Sequence, residues 1–357
     1  LPPPVHGVSI INQIVYDSPI INENIDRELL EIKFSDKLSL LRRWSPGKML
    51  KFLRLIWLLV IRIIRKEPDY VYFSIMAVGK GFVRDLFFVL VIKMLGVRPI
   101  YHIHNRGIEH NSRFPFFSRI YRFVFNNSLL IHLSDSLMET EINQLNPANC
   151  NRVVIPNGIP RVVSGSGNVK KGRTVRLLFL SNLFAGKGLD DLIQVFFNLL
   201  DKYPDLELVV AGDFPAAGEE RRIRKLISGY NGAGKVILAG PVYGEKKNDT
   251  YRNADIFVFP TYFSQECFPL VILEAMQYGL PVVATKEGAI PEIITDGVTG
   301  FLTDARDTES LEQKIGILAE SPELRERMGR EARKVFEERY TTEHFEKRIR
   351  AFYDSCL

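Results

Sequence analysis

Glu266 and Glu274 lie eight residues apart in the run Glu266-Cys267-Phe268-Pro269-Leu270-Val271-Ile272-Leu273-Glu274. The first precedes a predicted helix, Leu270–Tyr278, and the second lies inside it. Pro269 fits the first helical turn, where its fixed φ helps and its missing N–H is no loss. The amides of Phe268, Leu270 and Val271 then lack intrahelical partners at the positive end of the helix dipole, an end suited to a phosphate or diphosphate. A carboxylate beside it disfavours an anion unless it faces neutral hydroxyls on the same ligand. Phosphate together with hydroxyls, at one helix end, describes a nucleotide sugar. Taken alone, two glutamates at this distance are commonplace, and a solvated helix end with one glutamate serving the dipole is the plain alternative.

Transfer of a sugar from a nucleotide diphosphate needs the leaving diphosphate neutralised, the sugar hydroxyls oriented and an oxocarbenium-like transition state sheltered from water. Lys187-Gly188 follows a predicted strand ending Phe179-Leu180-Ser181 and opens a helix, so Lys187 is a point charge placed for a phosphate. A Lys-Gly pair by itself is more often only a helix start. His102 and His104 alternate onto one face of another predicted strand. Without neighbouring carboxylates they make a poor metal site, which leaves a structural role or, for His104, a substrate contact. No Asp-X-Asp pair occurs, so a metal-bridged diphosphate is not expected.

The elements around these residues alternate short apolar runs with longer amphipathic segments, as a parallel α/β sheet requires. Predicted strands are Tyr70–Ser74, Pro99–His104, Leu129–Ser134 and Arg152–Ile155 in the first half. In the second half they are Arg176–Ser181, Glu207–Ala211, Lys235–Ala239, Ile256–Pro260 and Pro281–Thr285, with helices Leu189–Tyr203 and Glu219–Ser228 between them. Ser164-Gly165-Ser166-Gly167-Asn168 has linker composition. The pattern predicts two doubly wound domains, 1–165 and 166–341, with ligands at the carboxyl ends of strands and a cleft between the domains.

A chain of 357 residues with 46% hydrophobic content suits two globular domains. Cys150, Cys267 and Cys356 are few and scattered, which favours a reducing cytoplasm over a disulfide framework. The net charge of +5 hides an asymmetry: residues 1–165 carry 21 Lys and Arg against 13 Asp and Glu, and the remainder is slightly acidic. An anionic partner for the first half follows. No nucleic-acid recognition signature is present, and a membrane surface is the better candidate. On a helix over Lys48–Lys66, Lys51, Arg54, Arg62 and Arg65 fall within about an 80° arc. That apolar segment is too short and too interrupted by arginine to cross a bilayer but fits a contact lying on its surface; a domain-packing helix with a solvated arginine face is the alternative. No signal peptide is visible.

The succession of motifs resembles family 4 of the retaining glycosyltransferases over most of the chain. It includes Val154-Ile155-Pro156-Asn157-Gly158-Ile159, Lys187-Gly188-Leu189, Asp255–Pro260, the glutamate pair, Pro281–Thr285, Gly288–Ile294 and Asp296–Leu302. The resemblance implies the GT-B architecture: two Rossmann-like domains facing each other across a cleft, with a last helix, Thr342–Tyr353, packing back on the first domain. It implies that Glu266 binds hydroxyls of the transferred sugar, Glu274 the ribose, and the amides of Phe268, Leu270 and Val271 the phosphates or sugar. Gly240 and Val242 would hold the base through backbone contacts. His104 would orient the sugar or donate to the transition state, making His104 and Glu266 the catalytic candidates. Gly7, in a loop Pro2–Val8, would let backbone approach the diphosphate; the strand that normally precedes this loop is absent, and a truncated record is expected. Where such enzymes carry an arginine on the diphosphate, this chain has Asn182, so Arg106 is a candidate substitute; acceptor contacts would come from Arg106–Arg122. Cys267 stands where glycine is frequent and could crowd the donor pocket. The implied reaction is front-side displacement with retention, from a UDP- or GDP-linked donor to a glycan or lipid-linked acceptor, in cell-surface or exopolysaccharide synthesis, with no cofactor and no metal. Alternatives are a nucleotide-sugar epimerase of the same shape and an inactive donor-binding scaffold. No G-x-G-x-x-G follows a strand, which argues against a nicotinamide enzyme.

Overall fold

In the computed structural model, which describes residues 7–32, 46–162 and 174–356, the chain forms two compact units. One comprises Leu1–Asn157 and Thr342–Leu357, the other Gly158–Thr341. The linker-like Ser164–Asn168 and the Pro2–His6 part of the predicted loop lie outside the described residues.

The first unit is built on four parallel strands in chain order, β1 (Tyr70–Phe73), β2 (Arg98–His102), β3 (Ser128–His132) and β4 (Cys150–Val154). Every residue of β3 is buried, as a strand covered on both faces requires. On one face, Phe82 and Val89 of the Gly79–Met94 helix and Tyr121 and Val124 of the Pro115–Phe125 helix pack with Tyr101 and Leu130. His102, alternating to the opposite face, stacks on Phe345 of the Thr342–Cys356 helix, ring centroids 6.2 Å apart. Tyr70 fixes the end of that helix by donating to the Cys356 carbonyl at 2.9 Å. The Pro46–Lys66 helix buries Leu55, Leu59 and Ile63 against Phe88 and Ile92.

The second unit holds six parallel strands: β5 (Val175–Leu180), β6 (Leu206–Ala211), β7 (Val236–Gly240), β8 (Ile256–Phe259), β9 (Val282–Thr285) and β10 (Gly300–Thr303). Their spatial order is β10-β9-β8-β5-β6-β7, so the winding reverses between β5 and β8. At such a reversal the loops leaving the two central strands diverge to opposite faces and open a crevice at their carboxyl ends.

Several expectations shift. β10 was not predicted, because its four residues follow a Gly-rich turn and are too few to show alternation. β2 ends at His102, not His104; only the Ile103 amide continues the pairing, to the Ile131 carbonyl at 3.0 Å. Gly7 is not in a loop but is the exposed first residue of the Gly7–Asp17 helix. Pro269 stands one residue before its helix, Leu270–Gln277, with extended ψ of 110°. The helix after Gly188 ends at Leu200, three residues ahead of the predicted Tyr203. Arg62 leaves the proposed basic stripe: it pairs with Glu28 at 3.0 Å and donates to the Leu29 carbonyl at 2.7 Å.

Candidate functional site

Lys187 and Glu266 come together at the reversal between β5 and β8. Lys187 sits in the loop leaving β5 and Glu266 in the loop leaving β8, with Lys187 Nζ 2.5 Å from Glu266 Oε2. Both side chains are about nine-tenths buried, at 12% and 10% exposure. The rings of Phe259 and Phe263 lie 5.5 and 4.9 Å from the ammonium, so its remaining surface faces π-density instead of water. Thr261 Oγ1 lies 3.3 Å from the same carboxylate oxygen, and Thr285 steadies Thr261 by donating to its carbonyl.

The two loops are locked by glycine. Gly188, at φ +80°, passes so close to the β8 loop that a Cβ there would lie 2.0 Å from the Pro260 carbonyl oxygen. The Tyr262 amide donates to Gly186 O at 2.7 Å, a second tie between the loops. Gly288, at φ +57°, brings the loop after β9 against the Glu266 and Cys267 peptides, where a Cβ would meet Glu266 O at 2.5 Å. The Ala289 amide holds Cys267 O at 2.8 Å. Lys187 and Glu266 are therefore positioned by backbone, and Cys267 is buried within this wiring.

Glu274 lies farther along the Leu270–Gln277 helix. Lys247 Nζ meets its Oε1 at 2.5 Å, and the buried Tyr251 donates to its Oε2 at 2.7 Å. The first turn-closing amide of that helix is Ile272, donating to Pro269 O at 3.1 Å, and no side chain caps the end. Leu270 and Val271 thus present amides at an open, positively polarised terminus, and Phe268 is buried just before it. At the neighbouring strand ends, Gly240 closes β7 at φ +67° and accepts from the Gly212 amide at 2.9 Å; Val242 is buried. Asn182 is exposed at the end of β5, its carbonyl held by Phe184 N and Ser181 Oγ.

In the first unit, His102 and His104 share a face as expected, ring centroids 4.0 Å apart. Tyr72 OH lies 2.6 Å from His102 Nδ1. Burial holds the His102 imidazole well below its ordinary pKa, reinforced by His104 and His132, so the neutral ring accepts from Tyr72. His132 accepts the Leu133 amide on Nδ1 at 2.9 Å, and burial lowers its pKa to about 3. Unfolded, His132 takes up a proton near 6.5; folded, it does not until about 3. Its contribution to stability is whole above pH 6.5 and is lost as pH falls toward 3. Between pH 7 and 5 this amounts to about 2 kcal/mol. Urea titrations at the two pH values should show that loss, and a smaller one in His132→Asn.

Arg106 follows in the loop after β2, and the backbone beyond it is gripped by one buried carboxylate. Glu141 Oε2 accepts the amides of Gly107, Ile108 and Glu109 at 3.0, 2.5 and 3.2 Å. Among the described residues no three His, Cys, Asp or Glu side chains are placed to share a metal ion.

Residues 166–335 match the family model described as glycosyl transferases group 1. Over that segment, which is less than half of the chain, the sequence is similar to the glycosyl transferases group 1 family. Similar proteins include the sulfoquinovosyl transferase of Arabidopsis thaliana, 33% identical over 42% of this chain and 28% of that protein. The D-inositol 3-phosphate glycosyltransferase of Corynebacterium jeikeium is 30% identical over 63% of this chain and 58% of its own length. The chain therefore spans less than two thirds of these relatives. Among solved structures, the Anabaena protein HepE in complex with UDP shares the fold at a TM-score of 0.71, with 21% identity over 85% of this chain and 82% of that one.

Within the second unit, sequence reading marked Lys187, Glu266 and Glu274 but missed Lys247, Tyr251, Thr261 and the two aromatic rings around the ammonium. Lys247 and Tyr251 sit on a helix with no motif of its own, so only the tertiary fold brings them to Glu274. In the first unit, His132 and Glu141 were likewise unmarked; His132 ends the apolar run Leu129–Ile131, whereas Glu141 stands among polar residues and carries no local signal.

Proposed function

We propose that the protein is a retaining glycosyltransferase, moving a sugar from a UDP- or GDP-linked donor to a glycan or lipid-linked acceptor in cell-surface polysaccharide assembly. The observation carrying this is the Lys187–Glu266 pair, 2.5 Å apart at the carboxyl ends of β5 and β8, with Glu274 behind it on the helix that opens there. A positive point beside a carboxylate matches a ligand that is anionic at one atom and hydroxylated at the next. Lys187 neutralises the diphosphate, with the Phe268, Leu270 and Val271 amides beside it; Glu266 orients sugar hydroxyls; Glu274, held by Lys247 and Tyr251, takes the ribose. Gly240 and Val242 border the base.

From the first unit we assign His104 the orienting of the reacting sugar and Arg106 a contact with the acceptor. The bond from the anomeric carbon to the leaving phosphate oxygen breaks, the acceptor oxygen bonds to that carbon from the same face, and the departing phosphate takes the acceptor proton. The residues supply this without metal or cofactor. HepE, solved with UDP and with UDP-glucose, supports a nucleotide-sugar donor by likeness of fold. We place the protein in the cytoplasm, with the membrane contact developed below.

The test is a thermal-shift screen of UDP-, GDP- and ADP-sugars on wild type and Glu274→Ala, followed by NMR of the transferred linkage. A donor-specific shift lost in the variant, with the donor's anomeric configuration kept, is expected. An inverted product would refute the mechanism, and no shift with any donor would point to a scaffold.

A further inference from the structure

Exposed large apolar side chains are unevenly distributed. Among the described residues, thirteen fall between Met49 and Phe123, and only four in the second unit. Isolated exposed apolar residues need no explanation, but a concentration of them marks a contact surface.

The concentration belongs to three adjoining helices. The Gly79–Met94 helix is the middle one: Phe52 of Pro46–Lys66 meets the rings of Phe87 and Phe88 at 5.7 and 5.6 Å. On its other side Phe82 meets Tyr121 at 4.8 Å, and Lys93 donates to Asn126 O at 2.5 Å while lying over the Phe123 ring. Each helix buries one face and leaves another apolar. Leu53 and Trp57, Phe87 and Met94, Phe116 and Phe123 are seven or four residues apart within each pair, and so lie close to one face of their helix. Trp57, Met94 and Phe116 are 60%, 82% and 68% exposed.

Charge decides what covers this layer. The three helices carry eleven Lys and Arg and a single carboxylate, Asp85, which is fully buried against Arg84 and the Met76 amide. Lys51, Arg54, Lys80, Arg119 and Arg122 are exposed, and no carboxylate on these helices reaches solvent. A second copy of the same face would set cation against cation. Aromatic and aliphatic side chains interleaved with exposed cations complement an anionic lipid surface, whose interface takes up rings and whose headgroups take the charge. No helix is long and apolar enough to cross a bilayer among the described residues, so the contact lies on the surface.

We propose that the outer faces of these three helices form one platform that docks on anionic phospholipid bilayers. It goes beyond the single basic helix legible in the sequence: Phe87, Met94, Phe116 and Phe123 on the other two helices share the contact. It does not depend on the transfer reading, since it concerns lipid and not donor.

The full chain should float with vesicles of phosphatidylglycerol and phosphatidylcholine in equal parts, and at least tenfold less with phosphatidylcholine alone. With Trp44→Phe leaving Trp57 as the sole tryptophan, its emission should shift to the blue on adding the anionic vesicles. The substitutions Met94→Ser and Phe116→Ser, at exposed positions remote from the Pro46–Lys66 helix in sequence, should together weaken binding about tenfold with an unchanged melting temperature. Binding unaffected by that pair would confine the contact to one helix and overturn the platform, as would equal binding to neutral vesicles. No flotation, with a concentration-dependent dimer by sedimentation, would assign the face to a second copy. Donor-induced thermal shifts, read separately, report on the transfer site alone.

Discussion

Lys187→Ala should lower kcat/KM for the donor by about a thousandfold, the scale on which removing one preorganised charge-stabilising group slows an enzyme. The loss has two parts that the double variant separates. Among the described residues, removing Lys187 takes away the cation paired with Glu266 and leaves a carboxylate that is 10% exposed beside the Thr261 hydroxyl at 3.3 Å. An uncompensated buried charge destabilises a fold by about 3–5 kcal/mol, whereas removing both partners can be nearly neutral. Lys187→Ala should therefore also lower the melting temperature, and Lys187→Ala with Glu266→Ala should restore most of it. Activity should not return in the double variant. Recovery of both together would mean that the pair is architectural, and the site would have to be sought elsewhere.

Gly188→Ala is the second substitution with a large expected effect, and it adds a single methyl group. The Cβ would stand 2.0 Å from the Pro260 carbonyl oxygen, and φ +80° is costly for any L side chain. The loops leaving β5 and β8 would have to separate, at about 3 kcal/mol or more. For a unit of this size that corresponds to roughly 10 °C in melting temperature. Separation also draws Lys187 away from Glu266, so donor affinity should fall in parallel. Gly218→Ala is the control: it lies in the Ala217–Ser228 helix with nothing within 4 Å of the added Cβ. There alanine should raise stability slightly through helix propensity. If the two substitutions behaved alike, the close approach of the loops would not matter.

These expectations show where the chain was legible. The strands of both units could be read because each holds an unbroken apolar run, such as Leu177–Leu180 and Leu129–Ile131, the mark of a doubly covered parallel strand. Lys187, Glu266 and Glu274 stood out because they sit in local contexts, strand end or helix start, that carry their own chemistry. The glycines that align them did not. Nothing near Gly188 or Gly288 says which distant carbonyl it must approach, since Pro260 and Glu266 reach them only through the sheet order. The order itself, with β8 inserted beside β5, is a tertiary fact. Phe87 and Met94 were invisible for another reason: the Gly79–Met94 helix is apolar nearly all round, and reads as core until its neighbours are in place.

The chain crosses between its two units twice, and both crossings are stitched side by side. Ile159 pairs with Thr341 in an isolated bridge, and the Ile159 amide donates to Tyr340 O at 2.9 Å. The second unit is thus an uninterrupted segment with its ends already joined, lodged inside the sequence of the first. On the ribosome this imposes an order of events. Gly158–Thr341 is fully synthesised, and free to fold, while the first unit still awaits the Thr342–Cys356 helix that covers His102. The first unit is completed only once Thr342–Cys356 has been made, after the second unit has had time to form.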